Sequence, residues 1–187
     1  MQDLGYSVRS RNMLKILKLA FTLTVFCVLS AGALAYVFMF TGPKIEANAK
    51  LAFERSLKEV LPGAETFNPV GKEGRIFEGV AAGKAMGTAV LVAPRGYSGS
   101  IRMLVGVDGD LKVKGIKVLD QRETPGLGTN VLKPKFLGQF IGKSSADKLE
   151  PKKDVEAITG ATISTRGVCE GVRAALKGAS EFVKGAK

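Results

Sequence analysis

Between Thr159 and Thr165 the chain gathers four side-chain hydroxyls, on Thr159, Thr162, Ser164 and Thr165, around the small residues Gly160 and Ala161. The run begins at Asp154 and leads directly into a helical pattern. A hydroxyl can hold a phosphoryl group as an ester, and glycine and alanine let backbone and ligand approach closely. A helix capped by Ser164 or Thr165 would present unpaired N–H groups and the positive end of its dipole. That arrangement favours a phosphodiester by about 0.3–1 kcal/mol, enough to help but not to retain a ligand. A covalent bond would have to do the retaining. The same residues would also serve as a plain strand-to-helix turn. Gly167 and Gly171 each cost near 1 kcal/mol in a helix, which implies close approach of either a bulky group or a packed strand.

A second constellation is Glu123-Thr124-Pro125-Gly126-Leu127-Gly128. Pro-Gly at the centre of a turn predicts type II geometry with Gly126 at positive φ. Such a loop fixes backbone N–H groups, the Thr124 hydroxyl and the Leu127 side chain in one frame. A flat heteroaromatic ring needs that mixture, with apolar contact on its faces and hydrogen bonds at its edge. By itself the segment also reads as a tight surface turn.

Composition removes most other chemistry. The sequence of 187 residues has no histidine and no tryptophan, so Ser-His and Cys-His pairs are excluded, as is the commonest metal ligand. Its two cysteines, Cys27 and Cys169, lie in an apolar run and in a predicted helix, too few and too far apart for an iron–sulfur or zinc site. Redox chemistry would therefore need an organic cofactor. The net charge of +11 raises a nucleic-acid reading. The lysines are scattered without interleaved aromatics, so we expect no nucleic-acid partner.

Leu19 to Thr41 carries no charge. As a helix it rises roughly 33 Å, enough to cross a hydrocarbon core of about 30 Å. Arg9, Arg11, Lys15 and Lys18 precede it, so the positive-inside rule places residues 1–18 in the cytoplasm and residues 42–187 across the membrane. Ala31-Gly-Ala33 and Ala33-Leu-Ala35 resemble signal-peptide cleavage sites, but Tyr36–Phe40 prolongs the apolar run. An uncleaved single-pass anchor is the expectation.

Beyond the anchor, Lys44–Val60 predicts an amphipathic helix through Ile45, Ala49, Ala52, Phe53, Leu57 and Val60, stopped by Pro62-Gly63. Strands are expected at 76–80, 89–93, 101–107 and 111–119, with Asp108-Gly109 as a hairpin signal and Val105 and Val107 alternating with polar neighbours. An irregular stretch, 120–134, precedes a short apolar segment, 136–141, and a lysine-rich connection, 142–153. A final helix from Thr165 to Val183 carries the stripe Val168, Val172, Ala175, Leu176, Ala179, Phe182 and Val183. This order predicts an α+β fold: an N-terminal transmembrane helix, then one domain with a mainly antiparallel sheet and flanking helices.

Thr159-Gly-Ala-Thr162 together with Glu123–Gly128, the helix ending Val60-Leu-Pro-Gly63, and Gly96-Tyr-Ser-Gly99 resembles the G subunit of the Rnf electron-transport complex. The C subunit of the sodium-pumping NADH:quinone reductase is a close relative and the alternative, beside a cofactor-free tethered binding module. The resemblance implies FMN held covalently through its phosphate on Thr162, making this a phosphoester-modified chain. It also implies that Thr159, Gly160, Ala161, Ser164 and Thr165, and Glu123, Thr124, Gly126 and Leu127, surround that cofactor. Further implications are attachment by a flavin transferase that uses FAD, a periplasmic domain on the bacterial inner membrane, and partner subunits in an ion-translocating ferredoxin:NAD oxidoreductase. In such a complex the chain would relay electrons without catalysis of its own. Thr159 stands where serine is frequent in these proteins.

Overall fold

A computed structural model describes residues 3–70 and 74–185, with side chains from Met13 onward, so the basic Arg9 and Arg11 side chains lie outside what is described. Two compact units divide the chain, Met1–Leu51 and Ala52–Lys187.

Helix α1 (Asp3–Val60) fills the first unit and ends in the second. Among the described residues it is the helix long and apolar enough to cross a membrane. From Leu14 to Phe40 its leucines, phenylalanines and valines are exposed on every side. A helix apolar all round needs an apolar medium or a protein core about it. Its hydroxyls are satisfied locally: Thr22, Thr24 and Thr41 donate to the carbonyls of Lys18, Ala20 and Val37 at 2.7–2.9 Å. That is how polar groups are tolerated in hydrocarbon. The expected boundary between a span ending at 41 and a helix starting at 44 is not present, because α1 continues through Pro43. There the proline forgoes the N–H that would reach the carbonyl four residues earlier, and its ring crowds that carbonyl. Of the expected stripe, Leu57 and Val60 are buried and Phe53 half-buried, whereas Ile45, Ala49 and Ala52 are exposed.

In the second unit five strands form an antiparallel meander, β1 (Thr66–Val70), β2 (Ile76–Ala81), β3 (Lys84–Val92), β4 (Arg102–Asp108) and β5 (Val113–Asp120), paired in sequence order. The α+β expectation holds. Strand β1 was not expected, because Asn68 and Pro69 are poor strand formers. An edge strand tolerates proline, whose missing N–H can face away from the ladder. Strand β3 starts five residues before its expected first residue, after a turn in which Ala82 and Gly83 both have positive φ (49° and 74°), the twist a two-residue hairpin requires. The Asp108-Gly109 hairpin forms with a longer loop, in which Leu111 takes φ 59° and the Asp108 carboxylate accepts the N–H groups of Asp110 and Lys112.

Strand β4 does not alternate as expected: Met103 to Val107 are all buried. Met103, Val105 and Val107 join the core under the C-terminal helix α3 (Thr162–Gly185), while Leu104 packs with Leu57 and Val60 from the end of α1. The sheet is thus covered on both faces at its centre. Each such aliphatic side chain contributes about 1.5–3 kcal/mol when fully buried. At Gly106 an added Cβ would lie 2.0 Å from the Val60 carbonyl oxygen, so the helix end sits directly on the strand.

The predicted stripe of α3 is buried from Val168 to Ala179, with Phe182 and Val183 half-buried at its end. The glycines at 167 and 171 answer to packed neighbouring chain. A Cβ at Gly171 would meet Met103 Cε at 2.1 Å and Pro94 at 2.7 Å, and one at Gly167 the Arg95 carbonyl at 2.6 Å. Packed chain, and no ligand, explains them. The irregular 120–134 stretch contains a 3-10 turn, Gly128–Leu132, and the apolar segment forms α2 (Pro134–Leu137) with a 3-10 turn, Gly138–Phe140, anchored by buried Phe136 and Phe140.

Candidate functional site

Two turns and one helix start build the site. In the first turn Ala161 N–H donates to the Ile158 carbonyl at 3.0 Å, with Gly160 at φ 77°. Helix α3 then begins at Thr162, earlier than expected, so Ser164 and Thr165 are not caps but lie inside its first turn. The residue before the helix is Ala161, which has no side-chain oxygen to offer the first N–H groups.

This shift sorts the four hydroxyls. Thr165 is fully buried, with Oγ1 donating to the Ala161 carbonyl at 2.9 Å and accepting Ile158 N–H at 3.3 Å. Ser164, 1% exposed, donates to the Glu123 carboxylate. Thr159 and Thr162 are exposed.

The second turn is the one the Pro-Gly pair predicts. Leu127 N–H donates to the Thr124 carbonyl at 3.2 Å and Gly126 has φ 76°. It is braced from outside, since Gly126 N–H donates to Thr129 Oγ1 and Asn130 Nδ2 to the Gly126 carbonyl, both at 3.0 Å. The two turns touch: a Cβ on Gly160 would be 2.8 Å from Leu127 Cδ1.

Around that contact lies a cavity of about 480 Å³, walled by Tyr97, Glu123, Thr124, Leu127, Gly128 and residues 160–164. Of the residues expected at the site, Glu123, Thr124, Leu127, Gly160, Ala161, Thr162 and Ser164 meet here. Thr159, Gly126 and Thr165 do not line it. Gly126 shapes the turn and Thr165 ties down the helix start. Tyr97 and Ile163, both exposed, were not singled out as site residues from the sequence. Only the Gly96–Gly99 pattern hinted at Tyr97.

A second cavity, about 640 Å³, runs along residues 152–160 and shares Gly160 and Thr162 with the first. Lys152, Lys153, Asp154 and Glu156 line it, so it is the more charged of the two, and the first offers the apolar walls a ring needs. Asp154 organises this side. Burial resists its ionisation, but the N–H groups of Glu150 (2.6 Å) and Leu149 (2.7 Å), with Lys143 Nζ at 3.8 Å, hold its carboxyl below the usual aspartate range. The loop it braces carries Leu149 and Lys152 at φ 50° and 67°. Cys169, fully buried in α3, has its thiol pushed up to about 11 by burial, which keeps it protonated at neutral pH.

Residues 96–177 match the FMN-binding domain family and residues 12–60 the RnfG N-terminal region. The G subunit of the proton-translocating ferredoxin:NAD(+) oxidoreductase complex of Clostridium ljungdahlii is 32% identical over 184 residues, spanning 95% of this chain and 98% of that one. The G subunit of the ion-translocating oxidoreductase complex of Methanosarcina acetivorans is 32% identical over 175 residues, 87% of this chain and 93% of that one. The crystal structure of the C subunit of the Na(+)-translocating NADH-quinone reductase of Parabacteroides distasonis overlaps 57% of this chain and 61% of its own, at 26% identity and a TM-score of 0.47. At 32% identity over 95% of its length to the first of these relatives, and with both family matches in order along it, the chain belongs to the family of G subunits of Rnf-type ion-translocating oxidoreductase complexes and carries that family's FMN-binding domain.

Proposed function

We propose that this chain is a membrane-anchored flavoprotein subunit that holds FMN through a phosphoester on Thr162 and serves as an electron relay within an ion-translocating ferredoxin:NAD oxidoreductase complex. One observation carries the site assignment. Of the four hydroxyls between 159 and 165, Thr162 alone is both exposed and on the wall of the cavity where the two turns meet.

The residues present suit the cofactor. A volume of about 480 Å³ falls in the range of pockets that enclose ligands of this size. Leu127, Ile163 and Tyr97 offer apolar contact to a flat ring, and the Thr124 hydroxyl offers a hydrogen bond at its edge. Thr162 Oγ would be the ester oxygen. As the first residue of α3 it stands beside N–H groups that no Ala161 side chain can cap, which suits the negative charge of a phosphodiester. When bound, the flavin supplies the reversible electron transfer. The protein's part is to fix the ring, shield it partly from water and present it to neighbouring subunits.

The remaining assignments follow from the same reading. Residues 19–41 of α1 span the bacterial inner membrane, residues 1–18 lie in the cytoplasm and residues 42–187 form the periplasmic domain. A separate flavin transferase using FAD forms the bond from Thr162 Oγ to phosphorus and releases AMP. Other membrane and peripheral subunits donate and accept the electrons.

The test is direct. The full chain is co-produced with a flavin transferase and separated on a denaturing gel under ultraviolet light. We expect a fluorescent band in the parent and none in Thr162→Ala, with mass spectrometry placing the added mass of FMN on the peptide containing Thr162. A dark parent band from matured material would overturn the assignment.

A further inference from the structure

Glu123 faces the cavity beside Thr162 yet is only 5% exposed, so its carboxyl must find its partners within the protein. It finds them in segments far apart in sequence. One oxygen, Oε2, accepts the Ser164 hydroxyl from the first turn of α3. The other, Oε1, accepts Ser98 N–H at 3.2 Å from the turn that Gly96 N–H closes on the Gly99 carbonyl at 2.7 Å. Its own N–H is held by Gln121 Oε1. Two glycines make room for the carboxyl: a Cβ at Gly96 would sit 2.3 Å from Oε1, and one at Gly128 would sit 2.8 Å from Oε2.

The segments that converge on this carboxyl also wall the cavity. The 96–99 turn brings Tyr97, the 123–128 loop brings Thr124 and Leu127, and α3 brings Thr162 and Ile163. We propose that Glu123 is a positioning residue: it pins the three walls together from behind and gives its carboxylate oxygens to Ser98 and Ser164, not to the cofactor. This inference rests on the flavin reading of Thr162 and assigns Glu123 and Ser164 a different part in it from direct cofactor contact. Without the pin the Pro-Gly loop loses its link to the helix start, and Leu127 is free to leave Gly160.

The test uses the full chain in detergent, loaded by a flavin transferase, and reads the initial rate of Thr162 labelling and the visible-region circular dichroism of the attached flavin. Glu123→Ala should label roughly tenfold more slowly and give an altered flavin spectrum, since the buried Ser164 hydroxyl and the Ser98 N–H lose their acceptor. Glu123→Gln should restore both readouts, because its oxygen can accept Ser98 N–H and its amide can donate to Ser164 Oγ. Ser164→Ala removes one arm only and should alter the spectrum with a smaller loss of rate. It carries the test if Glu123→Ala does not fold. Parent-like labelling and spectrum in both alanine variants would overturn the proposal, as would a glutamine variant as damaged as alanine, which would mean that the charge itself matters. An unlabelled parent chain would instead sink the flavin reading beneath it.

Discussion

The two turns that meet where Leu127 faces Gly160 share a backbone conformation and differ in their surroundings. Gly126 and Gly160 have almost the same φ, 76° and 77°, each at the third position of a turn closed by one hydrogen bond. An added Cβ at Gly126 would meet nothing within 4 Å, whereas at Gly160 it would press on Leu127. The first glycine serves only its own loop. The second serves the loop and also admits the side chain that lines the cavity. Equal conformations can therefore sit in unequal packing, and substitution can separate the two.

The largest effect belongs to Thr162, which follows the second turn on the cavity wall. Thr162→Ala should abolish flavin labelling completely, while Thr162→Ser keeps the hydroxyl and Thr159→Ala leaves the acceptor untouched, so both should still label on a fluorescent gel. Labelling lost equally from Thr159→Ala and Thr162→Ala would break the distinction that the lining of the smaller cavity draws between these two exposed hydroxyls.

Gly160→Ala comes next. A left-handed alanine costs about 1–2 kcal/mol and crowding Leu127 adds to it, for about 2–4 kcal/mol in all, read by denaturant unfolding. Labelling should slow as well, because Leu127 must move out of its place in the cavity wall. Retained labelling rate would show that the contact is only packing.

Asp154→Asn should destabilise the neighbouring loop by about 1–2 kcal/mol at pH 7, since a carboxylate holding two N–H groups is lost. The sign with pH is fixed by the lowered folded value. Its stabilisation is present above the ordinary aspartate range near 4 and disappears as pH falls through the folded value. Parent and variant should therefore differ at neutral pH and converge in acid, and a difference independent of pH would refute the role given to this carboxyl. The smallest effect is expected from Gly126→Ala, about 1 kcal/mol of backbone strain with labelling unchanged. If it slowed labelling as much as Gly160→Ala, the contrast between the turns would fail.

Much of this was legible in the chain. The charge-free run, the stripe of α3, the Pro-Gly turn and the Thr-Gly-Ala-Thr pattern each follow from local rules: hydrophobic length, a period near 3.6, and the φ that proline and glycine set. Other features were not, for reasons that can be named. Strand β1 carries residues that disfavour strands and exists because β2 offers a partner edge. Strand β4 looked one-sided because alternation cannot announce that α1 and α3 cover opposite faces of one strand.

From the sequence alone came the inventory: a chain without histidine, an apolar helix long enough for a bilayer, and four hydroxyls beside a helix start. Only the tertiary structure decided which of those hydroxyls are spent. Burial and a hydrogen-bond partner are set by segments distant in sequence, and Glu123 reaches Ser164 across 41 residues. Accessibility is a property of the packed chain, so local spacing alone does not show that Ser164 and Thr165 are buried while Thr159 and Thr162 are exposed.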